Sequence, residues 1–321
     1  MSFASVITMG RVSVDLYPEQ IAVPLAEVRS FSKSLGGSPT NVAVGAARLG
    51  TSSAVITKVG DDPFGDYIRA ALKEFGVDPR FVSTDPNLRT PLAFCEIRPP
   101  DRFPILFYRE PRAPDMNLGE ADLPLEEIRD AELFWTTGTG LSDEPSRTAT
   151  LAALAARGSP TDRSGRSITV HDLDYRPALW SSPEQARSLA LEAICHATVV
   201  VGNIEEAKMA VGTDHPRRAA EALIDRGAEF AIVKRGADGA LARTTEGELI
   251  EVPGVEVEVV NGLGAGDAFG GALCHALISG WGPERAVRFA NAAGAIVSSR
   301  RLCADDMPTL SEVEGLLAVG A

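Results

Sequence analysis

The stretch NGLGAGDAFGG, residues 261–271, decides how the chain is read. It follows a valine-rich run and precedes an Ala/Leu-rich one, so a strand at 257–260, a glycine turn and a helix from 268 are expected. Gly262, Gly264 and Gly266 permit tight turns and close approach of a ligand. Unpaired N–H groups at a helix start attract a phosphate or a developing oxyanion. Asp267 is either a helix cap or a working carboxylate. In the second role it accepts a proton from a substrate hydroxyl while the neighbouring amides hold the transferring phosphoryl. Two familiar alternatives fail on spacing. No GxxxxGK[ST] occurs, and the glycines do not fit GxGxxG with an acidic ribose partner about twenty residues on.

Outward from this turn, short β-rich runs alternate with helical ones. Strands are expected at 6–9, 54–59, 133–136, 168–171, 198–201 and 230–234. Ser38 and Asp62, each followed by proline, read as N-caps, and Gly50 and Gly76 as stops. Phe64, Ile68, Leu72 and Phe75 are expected to line one face of the second helix. Further helices are read at 146–156, 183–195, 219–226, 283–298 and 310–319. The runs 91–97 and 105–109 are joined by RPPDRF with no helix between them, which predicts a small β layer packed by Phe103, Phe107 and Tyr108. A second antiparallel pair is expected at 240–244 and 249–252, and a polar surface loop at 158–165. Repeated strand–helix units predict a mostly parallel sheet covered on both faces, with ligands outside the carboxyl ends of its strands. GGSPTN, DLDYRP, GNIEE and NGLGAGD all fall at such places.

The 321 residues are 45% hydrophobic and 23% charged, which excludes a disordered or fibrous chain. Acidic residues outnumber basic ones by 44 to 31, so a nucleic-acid partner is disfavoured. No run approaches the roughly 18–20 apolar residues that cross a bilayer, and the first apolar run has no basic leader. Cys95, Cys195, Cys274 and Cys303 lie far apart without metal-ligand spacing. A reduced, cytoplasmic protein without a membrane partner is expected.

Gly264, Ala265, Gly266 and Asp267, with Gly36-Gly37 and Asn41 near the amino terminus, resemble the two signatures of the ribokinase-like (PfkB) carbohydrate kinase family. They stand in the family's order, and the likeness runs from Gly10 to about Pro308. The resemblance implies an α/β fold, a three-layer α/β/α sandwich with a mostly parallel central sheet and a small β-sheet lid. One domain would span 1–321, with lid elements from about 11–35 and 90–112. Asp267 would be the base, and the amides of Gly264, Ala265 and Gly266 the anion hole. ATP with Mg2+ and a small sugar are the implied ligands, and a homodimer through the lid the implied assembly. Asn261 and Leu263 replace a DT-like pair near the family's monovalent-cation site, so a K+ site is left unassigned.

On the acceptor side, Asp15 resembles the family's early aspartate that holds sugar hydroxyls, or else caps a loop. Gly36 and Gly37 would let the backbone pass close to the sugar, and Asn41 would hydrogen-bond it. HDLDYRPALW resembles the DxNxRxxLW segment of members that phosphorylate keto-deoxy sugar acids, with Asp174 in place of Asn. Arg176, Arg109 in FYREP and Lys33 in SFSKSLGG are cations suited to a carboxylate, which implies a sugar-acid acceptor. Arg109 and Arg176 fit surface ion pairs equally well. His171 contacts the acceptor or makes a strand-end hydrogen bond.

On the nucleotide side, Asn203 and Glu206 stand one helical turn apart. They face a magnesium–water–phosphate cluster, Glu206 through water, or form an N-cap with a first-turn acid. Lys234, Gly236 and Gly239 resemble the family's segment near the nucleotide phosphates, or form a basic turn. Asn291 in FANAAGA resembles the position near adenine and ribose, or belongs to tight helix packing. The contrary reading is a protein that binds sugar or nucleotide without catalysis.

Overall fold

A computed structural model of the chain describes residues 4–158 and 167–319. Its strands are β1 (Val6–Met9), β2 (Ser13–Pro18), β3 (Phe31–Gly36), β4 (Ser53–Gly60), β5 (Val77–Asp78), β6 (Val82–Asp85), β7 (Leu92–Cys95), β8 (Ile105–Tyr108), β9 (Leu133–Thr137), β10 (Ile168–Asp172), β11 (Val199–Asn203), β12 (Phe230–Lys234), β13 (Ala240–Thr244) and β14 (Leu249–Val252). Its α-helices are α1 (Ser38–Arg48), α2 (Pro63–Glu74), α3 (Leu125–Asp130), α4 (Ser146–Ala156), α5 (Pro183–Ile194), α6 (Ile204–Val211), α7 (Pro216–Asp225), α8 (Ala265–Ile278), α9 (Pro283–Ser298) and α10 (Leu310–Val319).

The central strands are apolar on both sides of the pleat, so they are stable only when covered twice. Along β9, Leu133 and Trp135 join the core under α1, α8 and α9, while Phe134 points to the opposite core with Ala149 and Ala153 of α4. Along β12, Phe230 and Ile232 face the first layer, and Ala231 and Val233 face α5, α6 and α7. The sheet order is β14-β13-β12-β11-β10-β9-β1-β4-β5, with β6 also on β4. Pairing is parallel except at β12–β13 and β13–β14. The result is the expected α/β/α sandwich. A smaller sheet, β3-β2-β7-β8, forms the lid. Its period-2 alternation puts Asp15 and Ser34 on one face and Leu16 and Lys33 on the other.

Four expectations are corrected. Residues 257–260 make no strand. The N–H groups of Val260 and Asn261 bond the Ser298 carbonyl at the end of α9, and Val255, Val257 and Val259 line a cleft, so the alternation is met without a sheet partner. Gly37, at φ 95°, caps α1, so Ser38 is already helical. A side chain at Gly37 would lie 2.3 Å from the Arg11 carbonyl. Phe64 is 39% exposed, whereas Ile68 and Leu72 are buried as expected. Asp62 does cap α2, accepting from the N–H groups of Phe64 and Gly65. Helix α8 starts at Ala265, three residues earlier than expected, which brings the glycine turn into its first turn. The polar stretch 159–166 lies outside the described residues. The four cysteines are unpaired, and among the described residues no helix is long and apolar enough to cross a membrane.

Helices α1 and α8 cross with their backbones in contact. A Cβ on Gly271 would lie 2.7 Å from Gly45 Cα and 2.9 Å from the Ala46 nitrogen. In an isolated helix, Gly→Ala stabilises by about 1 kcal/mol. Here the clash is with backbone, which cannot rotate away, and overpacking costs about 1–3 kcal/mol. Gly271→Ala is therefore expected to lower the stability measured by urea unfolding. A stabilised variant would show that the crossing can open freely.

Candidate active site

The carboxyl ends of β10, β11 and β12 converge with the start of α8 on a cleft of about 730 Å³. Asp172, Asp174, Glu206, Lys234, Asp267 and Asn291 are among its lining residues. This is where a parallel sheet leaves unpaired strand ends and helix starts, so it is where a ligand can be gripped.

Asp267 sits in the first turn of α8. Gly264 caps the helix at φ 84°, a left-handed conformation that glycine adopts without strain. A side chain there would lie 2.2 Å from Cys303 Sγ. The N–H of Ala268 bonds the Gly264 carbonyl at 2.8 Å. Those of Ala265, Gly266 and Asp267 have no protein acceptor among the described residues, so they form the anion-seeking end of a 14-residue helix. Asn41 Nδ2 donates to Asp267 Oδ2 at 2.8 Å, while Asn41 Oδ1 is buried without a partner. Burial raises the pKa of Asp267, with Asn41 and Ser38 pulling the other way. A carboxylate tethered beside free amides can take a proton from a hydroxyl held next to an anion.

Asp15, on the inner face of the small sheet, accepts from Ser13 Oγ at 2.6 Å. Its carboxylate occupies the space a side chain on Gly36 would need. Burial raises its pKa to about 6, against the nearby charge of Arg11. Arg109 is buried and paired with Asp115. Arg176 is exposed, and its Nε donates to Asp174 Oδ1 at 3.0 Å. Asp174 holds a left-handed φ of 24°, its N–H bonded to Asp172 Oδ1. Lys33 is not brought to this group. It lies on the outer face with Nζ 4.0 Å from the Tyr67 ring centroid, because its register partner is Leu16 rather than Asp15. His171 hydrogen-bonds Thr136 at 3.0 Å and is fully buried, which is the strand-end reading.

Asn203 and Glu206 form a reciprocal capping box, with bonds of 2.9 and 2.8 Å. The cap does not exhaust Glu206. Its Oε1 has no hydrogen bond among the described residues, and the residue lines the cleft. Burial pushes its pKa to about 7, with Lys234 opposing and Asp172 adding to the rise. Lys234 Nζ stands 3.5 Å from Asp172 Oδ2. Burial alone would lower the pKa of Lys234, but Asp172 and Glu206 hold it above its usual value. Gly236 and Gly239 take φ values of 60° and 85° in the turn after β12, and a side chain on Gly239 would meet the Val252 carbonyl at 2.1 Å. Asn291 Nδ2 donates to the Pro253 carbonyl at 3.0 Å, fixing the segment that replaces the expected strand. Asn261 is buried, with its amide bonded to the Arg301 carbonyl and its Oδ1 accepting from the Leu263 N–H.

Several residues of the site went unassigned in the sequence. Arg11, Thr139 and Asp115 have partners 100 or more residues away, and no local pattern announces them. Arg11 does follow a glycine just after the first strand, which was the available signal. Phe103, expected to pack the β excursion, instead reaches Gly262 and lines the cleft.

Residues 4–310 match the pfkB family of carbohydrate kinases. The chain is 36% identical over 313 residues to 5-dehydro-2-deoxygluconokinase of Geobacillus kaustophilus, covering 96% of this chain and 92% of that one. Among solved structures it resembles a putative ribokinase II from E. coli in complex with ATP and Mg2+, with TM-score 0.86 and 25% identity, covering 98% and 99% of the two chains. It also resembles a fructokinase with bound ATP from Xylella fastidiosa, with TM-score 0.83 and 26% identity, covering 99% of each.

The elevated pKa of Glu206 has a stability consequence. The folded state binds its proton more tightly than the unfolded chain does, so the charge penalty is full above about pH 7 and fades as pH falls toward the ordinary value of 4.5. Glu206→Gln keeps an acceptor for the Asn203 N–H. It is expected to raise the melting temperature at pH 8 by about 2–5 °C and by much less at pH 5. Equal shifts at both pH values would contradict the assignment.

Proposed function

The chain belongs to the pfkB family of carbohydrate kinases, and we propose that it transfers the γ-phosphoryl of ATP to the C6 hydroxyl of 5-dehydro-2-deoxy-D-gluconate. The observation that carries this is the carboxylate of Asp267, tethered by Asn41 beside three free helix amides. Relatives of that activity cover nearly the whole chain, and in this reading Arg109 and Arg176 are the cations that meet the acceptor's carboxylate. A neutral sugar gives those cations less purpose.

In this reading Asp15 and Asn41 orient the acceptor, Asn41 through its unpartnered Oδ1. Asp267 takes the proton of the C6 hydroxyl as that oxygen bonds the γ-phosphorus and the bond to ADP breaks. The amides of Ala265, Gly266 and Asp267 hold the charge on the transferring group, and the Gly264 N–H borders the same turn. Lys234, Gly236 and Gly239 face the nucleotide phosphates, with Asn203 beside them, and Asn291 shapes the base side. Among the described residues no group of three His, Cys, Asp or Glu side chains is placed to hold a metal. Mg2+ would instead accompany the phosphates, with Glu206 as the side chain that would hold it through water, and would supply positive charge against the phosphate oxygens. Asn261 is engaged with Arg301 and Leu263, and K+ is given no place here. The lid excludes water that would otherwise accept the phosphoryl.

We propose further that two copies pair through the outer face of the lid. Leu106 and Tyr108 are 50% and 58% exposed there, and the rings of Phe31, Phe94 and Tyr108 meet edge to face. Sedimentation velocity is expected to give a dimer at micromolar concentration, and a monomer throughout that range would refute the pairing.

ATP turnover on a panel of acceptors tests the reaction. 5-Dehydro-2-deoxygluconate is expected to give the highest kcat/KM. A higher value for 2-dehydro-3-deoxygluconate, fructose or ribose overturns the acceptor, and no turnover on any of them favours a noncatalytic binder. Asp267→Asn is expected to keep the fold and lower kcat by about 10²–10⁴-fold. Parental kcat in that variant would remove the base.

A further inference from the structure

Arg11 is a third guanidinium at the acceptor side, only 5% exposed, carried to the end of β1 by Gly10. Its Nε donates to Thr139 Oγ1 at 2.9 Å and its Nη2 to Asp174 Oδ2 at 3.1 Å. Thr139 Oγ1 donates to the same carboxylate oxygen at 2.8 Å, and Arg176 Nε takes the other oxygen at 3.0 Å. One carboxylate thus fixes two guanidiniums, one on each oxygen. Arg109 joins them through the chain itself. It is paired with Asp115, whose Oδ2 accepts the N–H of Val12, the residue after Arg11, at 2.8 Å.

A guanidinium serving only as a structural pin would have its donors taken up by the fold, because unpaired buried charge is costly. Here donors remain. Arg11 Nη1 and Arg109 Nε and Nη1 have no hydrogen-bond acceptor among the described residues, and the terminal nitrogens of the exposed Arg176 are uncommitted as well. Asp174 and Arg176 line the cleft that also holds Asp267, and Arg11 Nη2 lies 3.1 Å from Asp174, so the spare donors gather at the Asp174 side of that cleft, where the end of an acceptor remote from its reacting hydroxyl can reach them.

We propose that Arg11 is a specificity-determining residue that binds the carboxylate end of the acceptor together with Arg109 and Arg176, and that Asp174 is the positioning residue that aims Arg11 and Arg176. This rests on the sugar-acid reading above. It accounts for an aspartate at 174, since an amide there would offer a single acceptor oxygen and no charge to two cations.

Arg11→Met, checked for folding by thermal melting, is expected to raise KM for 5-dehydro-2-deoxygluconate about 10–100-fold. Its kcat should stay within about threefold and its KM for ATP should not change. Asp174→Asn should shift the acceptor KM in the same direction by about 3–10-fold. If Arg11→Met fails to fold, Arg11→Lys retains charge and most packing, and is expected to raise the acceptor KM about 3–10-fold through lost fork geometry. A folded Arg11 variant with parental KM for the acid overturns the assignment, as does one whose ATP and acceptor KM values rise together. A parent enzyme that prefers a neutral sugar removes the functional reading and this one with it. A parent that uses the acid while its Arg11 variants use it equally well removes only the role of Arg11.

Discussion

The contact of two bare backbones, Gly45 of α1 against Gly271 of α8, is the constraint on which the molecule depends. It sets how closely the helix that follows the small sheet can approach the helix that carries the late glycine turn. One turn before Gly45, Asn41 reaches Asp267 across 226 residues of sequence. One turn before Gly271, the free amides open the helix. Larger residues at the crossing would move the tether and the amides apart together. Packing and site geometry are therefore one requirement, met by two residues with no side chain.

Around that crossing the fold tolerates charges it would otherwise expel. Asp15, Asp267, Asp172 and Glu206 all have raised pKa values, each with burial as the first cause. Four carboxylates held against their charge make the apo site a place of low local stability, offset by the double-faced cores on either side of the sheet. Lys234, between Asp172 and Glu206, supplies part of the compensation. The rest suits ligands that bring hydroxyl donors and a cation.

The layers of the fold were legible because apolar alternation and glycine or proline punctuation are local. Strand β12, helix α4 and the β13–β14 pair fall where periodicity put them. The glycine turn with Asp267 was legible for a similar reason, since its pattern is compressed into four consecutive residues. Residues 257–260 misled because a cleft wall and a strand ask for the same alternation, and only the missing sheet partner separates them. Arg11 was hidden by distance, its partners being 128 and 163 residues away. Lys33 was placed by composition alone, whereas its side of the sheet is set by a register that a sequence does not display.

The segment 300–306 ties both halves of the site. Arg301 bonds Ser32 and Glu19 of the small-sheet region while its carbonyl holds Asn261, and Ser34 is bonded to Asp305. On the ribosome, β3 waits for about 270 further residues before its ties to this segment can form. A nascent chain halted short of 300 would hold every strand of the sandwich, yet lack the ties that this segment makes to the small sheet and to Asn261. These long-range ties thus form only after most of the architecture is already in place.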